Sequence, residues 1–238
     1  MGRTRAPAAA RGQPAAPSAP LYPPAPVTWV AGVEYLCENR WDARVPNEVL
    51  KALRPVAGAC ACDGPVRSAL VKAGRITDPQ HPAFGQCGLF AAKKLLPGQF
   101  VLDYRGVVTR SQHESKTSDY TLAFVEDGPE LLTLDAESAG NEARFINDFR
   151  GCPPQQPGVP SRANVRFQAR TDARGVRHMG VYVLNGVTVA KGQELLLSYG
   201  KGYWIARGLL RAEAQAQECR ALAEQVADLS LVAARELP

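Results

Sequence analysis

The chain has 238 residues, 45% of them hydrophobic and 21% charged, and carries a formal net charge of +5. That length suits one large domain with appendages, and the balance is that of a globular protein. No run of about 18 apolar residues is present, which argues against a membrane-spanning helix, and no dense basic run interleaved with aromatics supports a nucleic-acid reading.

In chain order, residues 1–28 are mostly Ala, Pro, Gly and Arg, and the first acidic residue is Glu34. Such a segment buries too little apolar surface to offset its ordering entropy, so a disordered tail is expected. Its arginines and lack of acids also suit an organelle transit peptide, while the apolar stretch of a secretory signal is missing. Residues 29–84 read as a small helical region of their own. Asn47 is placed to cap a short helix running to Leu53 and stopping before Pro55. A second helix is expected over 66–73, closed by Gly74.

From 85 to 199 the pattern changes to short runs rich in β-branched and aromatic residues, broken by Gly, Asp and Asn. Strands are expected over 100–104, 120–125, 131–134, 163–167, 180–184 and 194–198. Together they predict a β-rich fold. Residues 203–236 are helical by propensity, with Ile205, Leu209, Leu222, Val226 and Leu229 as an apolar stripe. The six cysteines include one close pair, Cys60 and Cys62, with no second pair or His pair near it. Reduced thiols and no metal site are therefore expected.

Four separated segments stand out. The first runs from Gly85-Gln86-Cys87-Gly88 through Leu96-Pro97-Gly98-Gln99 to Asp103-Tyr104-Arg105-Gly106. The second is Asp119-Tyr120. The third is Leu134-Asp135-Ala136 followed by Gly140-Asn141-Glu142-Ala143-Arg144-Phe145-Ile146-Asn147-Asp148. This string is too polar for core packing, and a buried Asn147 needs a partner, for which a ligand is a candidate. The fourth is Glu194-Leu195-Leu196-Leu197-Ser198-Tyr199-Gly200, then Tyr203-Trp204.

In order and spacing these segments resemble the SET-domain protein lysine methyltransferases, over about residues 85–204. The sequence departs from that pattern in three ways. Asp148 stands where the family has His, a loop leading to Asn164 replaces the usual Cys-x-Pro-Asn, and the zinc-binding cysteines after the domain are missing. The resemblance implies a β-rich α+β fold of several small sheets, with a threaded arrangement in which the Asn147 and Tyr199 segments cross, followed by a C-terminal helix over 205–238. It also implies transfer of methyl groups from S-adenosyl-L-methionine to a lysine of a protein partner, with a histone tail in the nucleus as first expectation. A non-histone target, in the cytoplasm or an organelle, and a non-catalytic peptide-binding or chromatin-binding module are the alternatives.

By the same resemblance, Tyr199 is the central catalytic residue and Tyr120 lines the lysine channel beside it. Gln86, Cys87, Gly88, Arg144, Phe145, Asn147, Asp148 and Trp204 hold the cofactor. Leu197 occupies the channel position that governs how many methyls fit. A leucine there has no hydroxyl to hold a water, so di- or trimethylation is expected. The chemistry needs a neutral amine, which an apolar channel favours by desolvation. No strong protein base is then obligatory.

Overall fold

The computed structural model describes residues 29–53, 68–127, 129–155 and 161–206. Two short strands, β1 (Glu34–Tyr35) and β2 (Arg40–Trp41), precede the seven-residue helix α1 (Asn47–Leu53). Then come β3 (Val71–Arg75), β4 (Cys87–Ala91), β5 (Phe100–Tyr104), β6 (Val107–Arg110) and β7 (Thr121–Val125). They are followed by β8 (Leu132–Asp135), β9 (Ala139–Gly140), a 3-10 turn over Glu142–Phe145, and β10 (Asn147–Asp148). The described residues end with β11 (Val165–Thr171), β12 (Arg177–Val183), β13 (Leu196–Leu197) and helix α2 (Lys201–Ala206).

The strands form small sheets rather than one large one. Four strands pair in the order β2-β6-β8-β7 and three in the order β11-β12-β5. Three further pairs are β1-β9, β10-β13 and β3-β4. The pairs β1-β9, β2-β6 and β10-β13 are parallel and join segments far apart in sequence. Leu89, Val108, Leu134, Val181 and Leu195, each fully buried, weld the sheets into one core.

Local chemistry explains the turns that place these strands. In Leu96-Pro97-Gly98-Gln99 the proline presets the first corner, and Gly98 takes the left-handed conformation at φ 71° that the second corner requires. The turn closes as the Gln99 N–H donates to the Leu96 carbonyl at 3.1 Å. It delivers β5, whose alternation of β-forming side chains sets it against β12.

Three expectations need correction. Residues 71–75 are strand β3, not the end of a helix over 66–73, while 66 and 67 lie outside the described residues. The segment pairs antiparallel with β4 from Val71–Ala91 to Arg75–Cys87, and that partner overrides its local helical preference. Asn47 is the first helical residue, not the cap, because the Pro46 carbonyl accepts the first turn's bond from the Leu50 N–H at 2.9 Å. Of the strand expected over 194–198, Leu196–Leu197 forms strand β13 and Glu194 an isolated antiparallel bridge to Phe90.

Helix α2 is the C-terminal helix of the described residues, and it begins ahead of the helix expected over 205–238. Ile205 is 45% exposed, and Leu209, Leu222, Val226 and Leu229 lie outside the described residues, as do 1–28 and the Cys60–Cys62 pair. No helix among the described residues is long and apolar enough to cross a membrane. Residues 29–53 and 68–84, read from sequence as a separate region, supply β1, β2 and β3 to the sheets of the remainder.

Candidate active site

The two asparagines of the 140–148 string have different roles. Asn141 is 2% exposed and structural: its Oδ1 accepts from the N–H groups of Ala143 and Arg105, and its Nδ2 donates to the Asp103 carbonyl at 2.8 Å. It thereby caps the 3-10 turn and ties it to β5. The turn ends at Ile146, and β10 then carries Asn147 alongside β13, with Asn147 opposite Leu196 and Asp148 opposite Leu197. The Phe149 N–H donates to the Leu197 carbonyl at 2.9 Å, continuing the pairing. Two residues beyond Leu197, the chain presents Tyr199.

This parallel pairing places Asn147 and Tyr199 on the wall of one cavity of about 440 Å³. Gln86, Cys87, Arg144, Phe145, Asp148 and Trp204 line it as well. A smaller cavity of about 90 Å³ adjoins it and is lined by Leu197, Tyr104, Leu122, Ile146 and Phe167. Asp119, Tyr120, Arg144, Tyr199 and Tyr203 belong to both walls. Tyr120, Leu197 and Tyr199, assigned from sequence to one channel, thus meet at the smaller cavity.

Gly88 is the exception among the sequence-derived site residues, since it does not line the cavity. A Cβ on Gly88 would come within 2.7 Å of Glu194 Oε1. The glycine makes room for a buried carboxylate.

Tyr199 is fixed at both ends. Its hydroxyl donates to the Ile146 carbonyl at 2.7 Å, and its N–H donates to Asp148 Oδ2 at 2.6 Å. Burial, reinforced by Tyr203 and Asp148, pushes the phenol well above its usual range, so it stays protonated. With its one proton committed to Ile146, the oxygen's remaining capacity is as an acceptor. Edge-on aromatic contacts continue from Tyr199 to Tyr203, with ring centroids 4.8 Å apart, and from Tyr203 to Trp204, 5.1 Å apart. Tyr120 is held by its carbonyl, which accepts from the Tyr104 hydroxyl at 2.7 Å. The Arg144 guanidinium lies 4.1 Å from the Tyr120 ring centroid. It is itself tied to the carbonyls of Ala136 and Glu137.

Asp148 forms a clasp. Besides the Tyr199 N–H, it accepts from the Arg150 N–H at 2.8 Å and from Arg150 Nη1 at 2.8 and 3.0 Å. The side chain thus links β10 to the segment after β13.

Sequence reasoning missed several wall residues. Val30 comes from the segment before β1, and the neighbouring Trp29 packs on Phe145 at 5.5 Å between ring centroids. His81, Pro82 and Ala83 come from the turns before β4, and Arg150 from the loop after β10. No motif marks these positions. They reach the cavity because the early strands pair with later ones.

Residues 86–200 match the family model described as the SET domain, and that stretch has the β-rich fold of the domain. Similar solved structures include KRYPTONITE in complex with mCHH DNA, an H3 peptide and SAH. The likeness is 23% identity over 56% of this chain and 24% of that one, with a TM-score of 0.38. Another is the polycomb repressive complex 2 of Chaetomium thermophilum, at 21% identity over 57% of this chain and 16% of that one, with a TM-score of 0.40. The chain spans less than a quarter of the length of these two chains. No curated protein matches it.

Proposed function

We propose that this chain transfers methyl groups from S-adenosylmethionine to a lysine side chain of another protein. One observation carries the reading: Asn147 and Tyr199 face a single cavity of about 440 Å³ that shares the Tyr120–Tyr199 wall with a narrow apolar one. The larger volume lies within the roughly 300–1,000 Å³ of small-molecule sites.

The residues present fit this cofactor. Trp204 lines the cavity, and its buried indole Nε1–H has no hydrogen-bond partner among the described residues, a donor a ligand can satisfy. Gln86, Cys87, Phe145 and the backbone around Asp148 would hold the adenosine portion, and Asn147 the amino-acid end. When bound, the cofactor supplies an electrophilic methyl on a sulfonium.

The protein's own residues then prepare the amine. Leu122, Phe167 and Leu197 offer an incoming lysine no hydration, which favours its neutral form. The Tyr199 oxygen orients the amine by accepting a hydrogen bond. The Tyr120 and Tyr199 rings stabilise the cation that forms. Tyr199, held as a phenol, does not act as base, so the departing proton passes to water.

The substrate class we infer is a basic, lysine-bearing tail such as a histone's, which would place the protein in the nucleus. Asp119 supports this reading, since its exposed residue contributes to both cavity walls and favours an approaching cation. The test is radiolabelled methyl transfer to core histones and to total cell lysate, comparing wild type with Tyr199→Phe. The expected result is labelling of one protein class by wild type and a loss of about a hundredfold in the variant. Equal labelling by both removes Tyr199 from the chemistry. Failure of the wild type to bind cofactor returns the chain to a non-catalytic module.

A further inference from the structure

The Asn147 amide carries two donor hydrogens and one acceptor oxygen, and its surroundings decide which end meets a ligand. Its Nδ2 lies 2.8 Å from Glu194 Oε1 and 3.4 Å from the Cys87 carbonyl. Both neighbours are acceptors. The opposite orientation would press Oδ1 against a carboxylate and a carbonyl. The amide is therefore held with nitrogen inward, and Oδ1 is the atom offered to a ligand.

Glu194 is 7% exposed and anchored from several sides. Its N–H donates to Gln155 Oε1 at 2.8 Å, and its carbonyl accepts from Gln155 Nε2 and Asn164 Nδ2. Its second carboxylate oxygen lies 3.1 Å from Nε2 of His81, itself 6% exposed. The tautomer of His81 follows from its other nitrogen. The Ala83 N–H donates to Nδ1 at 3.0 Å, so Nδ1 carries no proton and Nε2 is the donor. Cys152 Sγ also lies 3.2 Å from Nε2. Burial, with Glu194 and Asp148 nearby, pushes that thiol up to about 12, so it stays protonated and donates to the Asp148 carbonyl. The cluster is a chain of oriented hydrogen bonds, not a nucleophile with its base.

We propose that His81 and Glu194 are positioning residues that lock the Asn147 amide so its oxygen accepts from the ammonium of the cofactor's amino-acid end. This deepens the methyl-transfer reading and rests on it. The chain of bonds begins at His81, outside the matched residues 86–200.

The test is calorimetric titration with two ligands that undergo no turnover. S-adenosylhomocysteine carries the amino-acid end, and 5′-methylthioadenosine lacks it. His81→Leu is expected to weaken S-adenosylhomocysteine about tenfold and leave 5′-methylthioadenosine within about twofold of wild type. His81→Gln supplies an N–H close to the Nε2 position and restores most of the affinity. Should His81→Leu fail to fold, Gly88→Ala carries the same test, because its Cβ displaces the Glu194 carboxylate. Unchanged affinity in the variants, or equal loss of both ligands, overturns the inference while leaving the methyl-transfer reading intact. Absence of S-adenosylhomocysteine binding to wild type overturns both.

Discussion

Replacing Asp148 with asparagine tests whether the clasp between β10 and the Tyr199 segment holds the site in register. The carboxylate's two oxygens receive the N–H groups of Tyr199 and Arg150 and the Arg150 guanidinium. Asparagine has one oxygen. Whichever way its amide turns, the NH₂ faces one of those donors, and a buried donor left unsatisfied costs about 1–3 kcal/mol. The lost ion pair adds little, about 0.5 kcal/mol, because the Arg150 side chain is 33% exposed and can rehydrate. A total near 2 kcal/mol corresponds to a fall in Tm of about 4–8 °C for a domain of this size. Either way the clasp that registers Tyr199 on β10 loses one of its bonds, so activity should fall further than stability requires, by about 10–100-fold at temperatures where the variant is folded. Thermal melting and methyl transfer measured on the same preparations check both numbers. Asp148→His should also lose stability, since a neutral imidazole has one acceptor nitrogen and no charge for Arg150. A variant Asp148→Asn that melts within about 1 °C of wild type and turns over at the wild-type rate would refute the clasp.

Three other outcomes are expected. Leu197→Phe fills much of the roughly 90 Å³ cavity beside Tyr199. It should shift products toward monomethyl-lysine, read by mass spectrometry of a fixed peptide. The rate should rise with pH as more of the substrate lysine is neutral, and no decline from Tyr199 ionisation should appear below about pH 10, because burial raises that phenol above its usual range. Stability should fall as pH drops below about 6.5. Burial holds His178 below its ordinary value even though Asp103 and Asp172 pull it upward, so the unfolded chain binds the proton first. Urea midpoints at about pH 7.5 and 5.5 should separate less in His178→Gln than in wild type.

The chemistry-bearing strings were legible because they combine residue types that packing alone does not explain. Asn147, Tyr120, Leu197 and Tyr199 were named through the family resemblance of those strings, and they line adjoining cavities. The strand over 100–104 was legible to the residue, since a proline-glycine turn and alternating β-formers bracket it. The segment at 71–75 was misread because its partner, β4, begins twelve residues after β3 ends, and nothing local records the pairing. His81 was illegible for a stronger reason. It is a lone histidine in a turn, and its role comes from Glu194, more than a hundred residues later. Gly88, placed among the cofactor-holding residues by the resemblance, also yields space to that same glutamate, which no local pattern announces. Pairwise relations across such distances have no one-dimensional signature.

The parallel pairing of β1 with β9 has a consequence during synthesis. Glu34 is added to the chain about a hundred residues before its partner Ala139 exists. At roughly 5–20 residues per second, the nascent chain carries Trp29 without its Phe145 neighbour for about 5–20 s. Completion waits still longer, until Leu196 arrives beside Asn147. Over that interval the emerging polypeptide offers aromatic surface to whatever holdase stands at the exit tunnel. Yield in a foreign host should therefore depend on chaperone supply and growth temperature more than on the stability of the finished protein.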